Sequence, residues 1–172
     1  MRSDIEHILR AAKEVTRETE FVLVGSQAVL VQYSDAPAEM LRSNDVDIYP
    51  EKNPHKSEMI DGAIGSGSQF DQTYGFHADG VDDTTAILPS GWRDRACELK
   101  TQNTKGAKGI APEIHDLAAS KLFAGRPKDI EWGKIAVKHG LVEKELLICR
   151  IKEIETNSKI RVDHAVKLAE QL

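Results

Sequence analysis

The stretch that most constrains the fold of this chain spans residues 21–49. It opens with the apolar run 21–24, which has the length of a buried strand, and this run breaks at Gly25 and Ser26. The apolar segment 28–31 follows and predicts the first turns of a helix. The pattern is therefore a buried strand, a glycine turn and a helix.

Two carboxylates lie on the next predicted strand, residues 44–49. Because residues two apart on a strand share a face, Asp45 and Asp47 project together, while Val46 and Ile48 point into the core. Adjacent carboxylates repel each other and raise each other's pKa unless a cation or a proton lies between them. Hard oxygen ligands of this kind suit Mg²⁺ or Mn²⁺, which also binds substrate phosphates. The pair therefore predicts a metal site.

The glycine turn supplies a place for those phosphates. Gly25 lets a phosphate approach the backbone, and the N–H groups at the start of the following helix face an anion. Both motifs also have a purely structural explanation, since paired aspartates often mark a β-turn and Gly-Ser is often only a tight turn. Their order and spacing together favour the functional interpretation.

Composition sets the broad class of the protein. At 172 residues, with 40% hydrophobic and 30% charged residues, the chain is typical of one soluble globular domain. No apolar run approaches the roughly 20 residues that span a bilayer, and no secretory signal is evident, so we expect a cytoplasmic protein that does not bind membranes. The two cysteines, Cys97 and Cys149, are expected to stay reduced.

The formal charge of −5 disfavours non-specific binding to a nucleic-acid backbone. An RNA partner would therefore need a local basic patch on the protein.

Periodicity and turn signals place the remaining elements. We predict helices at residues 3–19, 55–64, 115–124 and 127–139, two more within 141–172, and strands at 70–78, 81–88, 93–100 and 109–111. Asp79 and Gly80 are interpreted as a hairpin turn between two of these strands. These elements predict an α+β fold with a small mixed sheet. We expect residues 1–140 to form the core and the C-terminal helices at 141–172 to pack on this core or to extend it.

A second polar motif lies at the junction of the two helices that follow His115. The string HDLAASKLFAGRPKD brings Lys121, Arg126, Lys128 and Asp129 within nine positions. Three cations around a helix junction can bind a triphosphate, with the arginine bidentate and the lysines as point charges. Alternatively, Lys121 lays its stem along apolar surface and Asp129 pairs with a nearby lysine. Spacing alone leaves both interpretations open.

Together the strings VGSQAVL, NDVDIY, LPSGWRDR and DLAASKLFAGRPKD resemble the polymerase-beta-like nucleotidyltransferases. More narrowly, they look like bacterial and archaeal nucleotidyltransferase-like proteins of unknown function related to AbiEii-type toxins. It implies a nucleoside triphosphate (NTP) substrate and a nucleotidyltransferase fold. By the same resemblance, Gly25 and Ser26 bind nucleotide phosphates, Asp45 and Asp47 hold the metal ions, and Lys121 and Asp129 complete the site. The positive charge at the helix junction makes Arg126 and Lys128 further candidate phosphate contacts.

One departure from the family pattern concerns a third carboxylate. Many polymerase-beta-like enzymes carry a third metal-binding carboxylate on a later central strand, and no residue here is an unambiguous equivalent. Glu98 is the best candidate for this ligand, and Asp94 is the next.

Two classes of function follow from the sequence. The first is an enzyme that transfers a nucleotide from an NTP to a tRNA, another RNA or a protein, as a component of a toxin–antitoxin or phage-defence system. The second is a catalytically degenerate module that binds a partner, such as an antitoxin or a second copy of itself, through its C-terminal helices. Asp45 and Asp47 favour the first class, because a module without chemistry has no reason to hold two like charges together.

Overall fold

The computed structural model describes residues 1–172 and contains one five-stranded sheet with nine α-helices. The strands are β1 (Glu20–Val24), β2 (Asp45–Pro50), β3 (His77–Gly80), β4 (Cys97–Leu99) and β5 (Lys108–Ala111). The helices are α1 (Arg2–Thr16), α2 (Val29–Gln32), α3 (Ser57–Ile64), α4 (Gln69–Tyr74), α5 (Trp92–Arg95), α6 (Ile114–Ala124), α7 (Pro127–Lys138), α8 (Lys144–Lys152) and α9 (Lys159–Glu170). Short 3₁₀ turns lie at Ala38–Met40, Pro54–Lys56 and Gln102–Thr104.

The sheet is mixed and has the strand order β3-β2-β1-β5-β4. β1 pairs antiparallel with β2 and parallel with β5, β2 pairs parallel with β3, and β4 pairs antiparallel with β5. This architecture confirms the predicted α+β fold with a small mixed sheet flanked by helices.

The two faces of the sheet differ in what covers them. Phe21 and Leu23 of β1 point into the main hydrophobic core, which also contains Ile5, Ile8 and Leu9 of α1. These three helix residues are fully buried because they recur on one face of α1 at helical spacing. Helices therefore seal this face of the sheet.

The opposite face carries only a small apolar cluster of Val22, Val24 and Tyr49. The segment that follows β3 packs on this cluster through Val81, Ala86 and Trp92. The part of this face formed by the start of β2 and by β3 is left with polar side chains.

Several predictions for residues 70–100 were wrong. Residues 69–74 form a helix instead of a strand, because the Ser68 hydroxyl caps it by accepting a hydrogen bond from the Asp71 N–H at 3.2 Å. The pair Asp79–Gly80 is no hairpin turn, since β3 pairs with β2 and no strand follows at 81–88. The predicted strand at 93–100 is divided between α5 and β4.

The C-terminal helices were predicted correctly and belong to the main core. α8 contributes Leu147 and Ile151 to the core cluster, and α9 contributes Ala165 and Ala169. No helix in the structure combines the length and the apolar character needed to cross a membrane.

Candidate active site

Three carboxylates converge on the open face of the sheet. Asp45 and Asp47 project from β2, and Asp47 lies directly opposite Asp79 on the neighbouring strand β3. One carboxylate oxygen from each residue lies within 4.8 Å of the others. Ala78 is fully buried on the core side, so alternation along β3 turns Asp79 toward the open face. We call Asp45, Asp47 and Asp79 the carboxylate triad.

The electrostatics of the triad favour a bound cation. Burial, reinforced by the charges of Asp45 and Asp79, raises the pKa of Asp47 to about 6. Burial and the charge of Asp45 also raise the pKa of Asp79. A divalent cation would reverse this repulsion, and three carboxylates offer the hard oxygen ligands that Mg²⁺ or Mn²⁺ prefers. The donor set of the triad therefore fits such an ion.

The glycine turn after β1 packs directly against the triad. Gly25 has a φ of +72°, and a Cβ added there would lie 1.8 Å from the Asp47 Oδ2 atom. Only glycine combines this left-handed backbone with the absence of a side chain. Any side chain at position 25 would therefore displace the Asp47 carboxylate.

The helix after this turn lies where the sequence predicts it but is very short. Residues 25–28 form a turn, and α2 begins at Val29 and has only four residues. The helix predicted at 28–31 is therefore confirmed to within one residue, but the N–H groups of a four-residue helix do not form an anion site. Phosphate binding at this turn would instead depend on Ser26 and on the lysine that contacts it.

That lysine is Lys121 of α6, which is only 6% exposed. Its Nζ donates to the Ser26 Oγ at 3.1 Å and to the Asp129 Oδ1 at 3.4 Å. Burial lowers the pKa of Lys121, while the charge and hydrogen bond of Asp129 oppose this effect. The contact with Ser26 links the second sequence motif to the first.

Asp129 organises the cations of the second motif. It is 1% exposed and accepts a hydrogen bond from the Arg126 Nε at 2.5 Å in addition to the one from Lys121. The hydrogen bond to Asp129 raises the pKa of Arg126. Asp129 thus lies behind Lys121 and Arg126 and holds them in place.

These groups surround a single cleft of about 470 Å³. The turn after β1, the triad and the α6–α7 junction all contribute to its lining. The sequence-predicted site residues that line it are Gly25, Ser26, Asp45, Asp47, Lys121, Arg126 and Lys128.

Glu98 does not join this group, which corrects the sequence-based choice of third carboxylate. It lies on β4, and strands β5 and β1 separate β4 from β2. Its side chain is 58% exposed and its Oε1 accepts a hydrogen bond from the Lys108 Nζ at 3.1 Å. Asp94, the second candidate, lies on α5 and is absent from the cleft lining.

The carboxylate that sequence reasoning missed is Asp79. It was assigned to a hairpin because Asp-Gly is a strong turn signal. The alternation of Ala78 and Asp79 at the end of a short strand was the only local sign of its position.

A five-stranded mixed sheet flanked by helices, with acidic residues converging on its open face, is the architecture of an α+β nucleotidyltransferase. Comparison with known protein families agrees with this class. The family model described as a nucleotidyltransferase of unknown function (DUF6036) matches residues 3–167, and the chain belongs to this family. The match carries no information on a relation to AbiEii-type toxins. No curated protein and no solved structure matches the chain.

Proposed function

We propose that this protein is a metal-dependent nucleotidyltransferase that moves a nucleoside monophosphate from an NTP to a hydroxyl group of an acceptor. The observation that carries this proposal is the convergence of Asp45, Asp47 and Asp79 within 4.8 Å on one face of the sheet. In this proposal the triad holds Mg²⁺ or Mn²⁺. When bound, the metal neutralises negative charge on the reacting phosphate oxygens.

The chain's own residues bind and orient the triphosphate. Ser26 and Lys121 form one phosphate contact, since they already share a hydrogen bond of 3.1 Å. Arg126 and Lys128 supply further positive charge from the same cleft. Asp129 positions Lys121 and Arg126 through its hydrogen bonds to both.

The transfer itself is an in-line displacement at the α-phosphorus. The acceptor oxygen forms a bond to this phosphorus while the bond to the oxygen that bridges the α- and β-phosphates breaks, and pyrophosphate leaves with the electron pair. The proton of the acceptor hydroxyl passes to a carboxylate. Asp79, whose side chain is 41% exposed, is accessible to that hydroxyl. Lys121 stabilises the charge on the leaving pyrophosphate.

The acceptor in this proposal is a tRNA, another RNA or a protein. An RNA acceptor is supported by the exposed cations Arg42, Arg126 and Lys128 at the cleft, which give a local basic patch to a chain of formal charge −5. A role as a toxin or a phage-defence component rests on the sequence resemblance alone. In such a role an antitoxin or a second copy would bind through α8 and α9.

We further propose that residues 1–140 form the catalytic core and that residues 141–172 extend it. This division is supported by Arg161 of α9, which lines the cleft and so adds to the core's own site. We place the activity in the cytoplasm, where Cys97 and Cys149 would remain the free thiols that the structure contains.

A labelling experiment tests the proposed reaction. The purified protein is incubated with Mg²⁺, RNA or protein acceptors, and each NTP labelled at either the α- or the γ-phosphate. We expect α-label on an acceptor together with released pyrophosphate, and loss of both in the variant that combines Asp45→Asn with Asp47→Asn. Transfer of γ-label, or unchanged transfer by the double variant, would refute the proposal. A folded protein that neither binds nor transfers any nucleotide would favour the partner-binding module.

A further inference from the structure

The cleft has an apolar part in addition to its charged part. Phe123 of α6 and Trp132 and Ile135 of α7 line it, together with Met40 from the 3₁₀ turn that packs against α7. Each of these four side chains is at least 94% buried. An apolar surface of this kind does not bind phosphates, which need hydrogen-bond donors and cations.

The indole of Trp132 leaves one polar atom without a partner. Trp132 is 4% exposed, and its Nε1–H has no acceptor within the protein. A buried donor without an acceptor is unusual and costs free energy, so an acceptor on a ligand is a direct explanation. The same indole ring has its centroid 5.1 Å from the Lys121 Nζ. The unpaired N–H therefore belongs to a side chain next to the proposed phosphate contact.

Arg161 of α9 presents a flat cation to the same cleft. Its guanidinium carbon lies 4.2 Å from the centroid of the Phe123 ring, and its Nη2 donates to the Phe123 carbonyl at 3.4 Å. Ser158, the cap of α9, accepts a hydrogen bond from the Arg161 N–H and fixes the start of the helix. Phe123 thus packs against the guanidinium of Arg161, which is an exposed residue of the cleft lining. A guanidinium placed in this way can stack on a planar ring.

We propose that this apolar part of the cleft is the nucleobase subsite: the base stacks on Arg161 and accepts a hydrogen bond from the Trp132 Nε1–H. A nucleobase matches these features because it has apolar faces and hydrogen-bond acceptors at its edge. This inference rests on the proposed function and deepens it, since it assigns the residues that bind the base of the nucleoside triphosphate.

The test compares nucleotides with a ligand that lacks a base. Each NTP and inorganic tripolyphosphate are titrated calorimetrically into the protein in the presence of Mn²⁺. We expect at least one NTP to bind about 5- to 100-fold more tightly than tripolyphosphate, the range that stacking of one base supplies. Trp132→Phe and Arg161→Ala should each reduce this preference by about 5-fold or more. Loss of the Arg161 charge weakens the binding of both ligands, so the ratio of the two affinities isolates the contribution of the base.

Matched variants control for changes in the fold. Trp92→Phe alters the only other tryptophan, and Lys167→Ala removes a different exposed cation of α9; neither residue lines the cleft. Both should keep the preference of the unmodified protein. Arg161 is exposed, so Arg161→Ala keeps the proposal testable even if Trp132→Phe fails to fold.

The outcomes separate this inference from the function on which it rests. Equal affinity for NTPs and tripolyphosphate, or variants that weaken both ligands alike, would overturn the base subsite and leave a metal–phosphate site in place. Absence of metal-dependent binding of any of these ligands would overturn both proposals. A preference that falls only in Trp132→Phe and Arg161→Ala supports the subsite.

Discussion

Asp47 is held where its negative charge is unfavourable. It lies opposite Asp79 on the sheet and shares a face with Asp45, and its pKa is raised to about 6 by burial and these charges. A carboxyl group whose pKa is higher in the folded state makes its full contribution to stability below its unfolded pKa and loses it as the pH rises through its folded pKa. That contribution is lost as the pH rises from about 4 through about 6.

Removal of this charge should therefore stabilise the metal-free protein. We expect Asp47→Asn to raise the free energy of unfolding at pH 8 by about 2 kcal/mol, a value reduced from the full shift because the group is partly solvated. The difference should be much smaller at pH 4, where Asp47 is neutral in the folded state and only about half ionised in the unfolded state. Urea denaturation with a chelator at both pH values measures this effect.

The exposed residue Asp163 of α9 offers a control for that experiment. Asp163→Asn should leave the free energy of unfolding nearly unchanged at both pH values. If Asp47→Asn were destabilising at pH 8, or equally stabilising at pH 4 and pH 8, then charge repulsion in the triad would not be the cause.

At the scale of elements, the long periodic segments were predictable. The long helices α1, α6, α7 and the C-terminal pair follow from repeating apolar positions. β1 follows from a short apolar run, and β2 follows from the alternation of two aspartates with Val46 and Ile48. Each of these patterns lies within one continuous stretch of sequence, so it can be recognised without knowledge of the three-dimensional contacts.

Residues 69–99 were not predictable in this way. α4 has six residues and depends on its Ser68 cap, and β3 has four residues and depends on parallel pairing with the distant strand β2. Neither element is long enough for its apolar residues to show the periodicity of a helix or a strand. The third carboxylate was misplaced on Glu98 for this reason, because the position of Asp79 is set by that non-local pairing.

The turn between β1 and α2 is the element whose conformation the site needs most. We expect Gly25→Ala to weaken metal-dependent NTP binding at least about 10-fold, since its Cβ would meet the Asp47 carboxylate at 1.8 Å. Gly140→Ala is the matched control, because Gly140 also has a positive φ, +69°, but nothing lies within 4 Å of its added Cβ. Calorimetric titration compares the two variants, and equal affinities would show that the clash has no effect on the site.

At the scale of the whole molecule, the cleft joins parts of the chain that are far apart in sequence. β2 and β3 supply carboxylates, the α6–α7 junction supplies buried and exposed cations, and α9 supplies Arg161. The family match over residues 3–167 includes all of the residues that these elements contribute to the cleft. The C-terminal helices thus belong to the same folded unit as the candidate site.

The most direct test of the carboxylate triad compares Asp79→Asn with Glu98→Gln, because the structure favours the first residue and the sequence favoured the second. Each variant is titrated with NTP in the presence of Mn²⁺ and then with a chelator. We expect the unmodified protein and Glu98→Gln to bind only with the metal, and Asp79→Asn to bind at least about 10-fold more weakly. Unchanged binding by Asp79→Asn, or loss of binding in Glu98→Gln alone, would contradict a metal site at Asp45, Asp47 and Asp79.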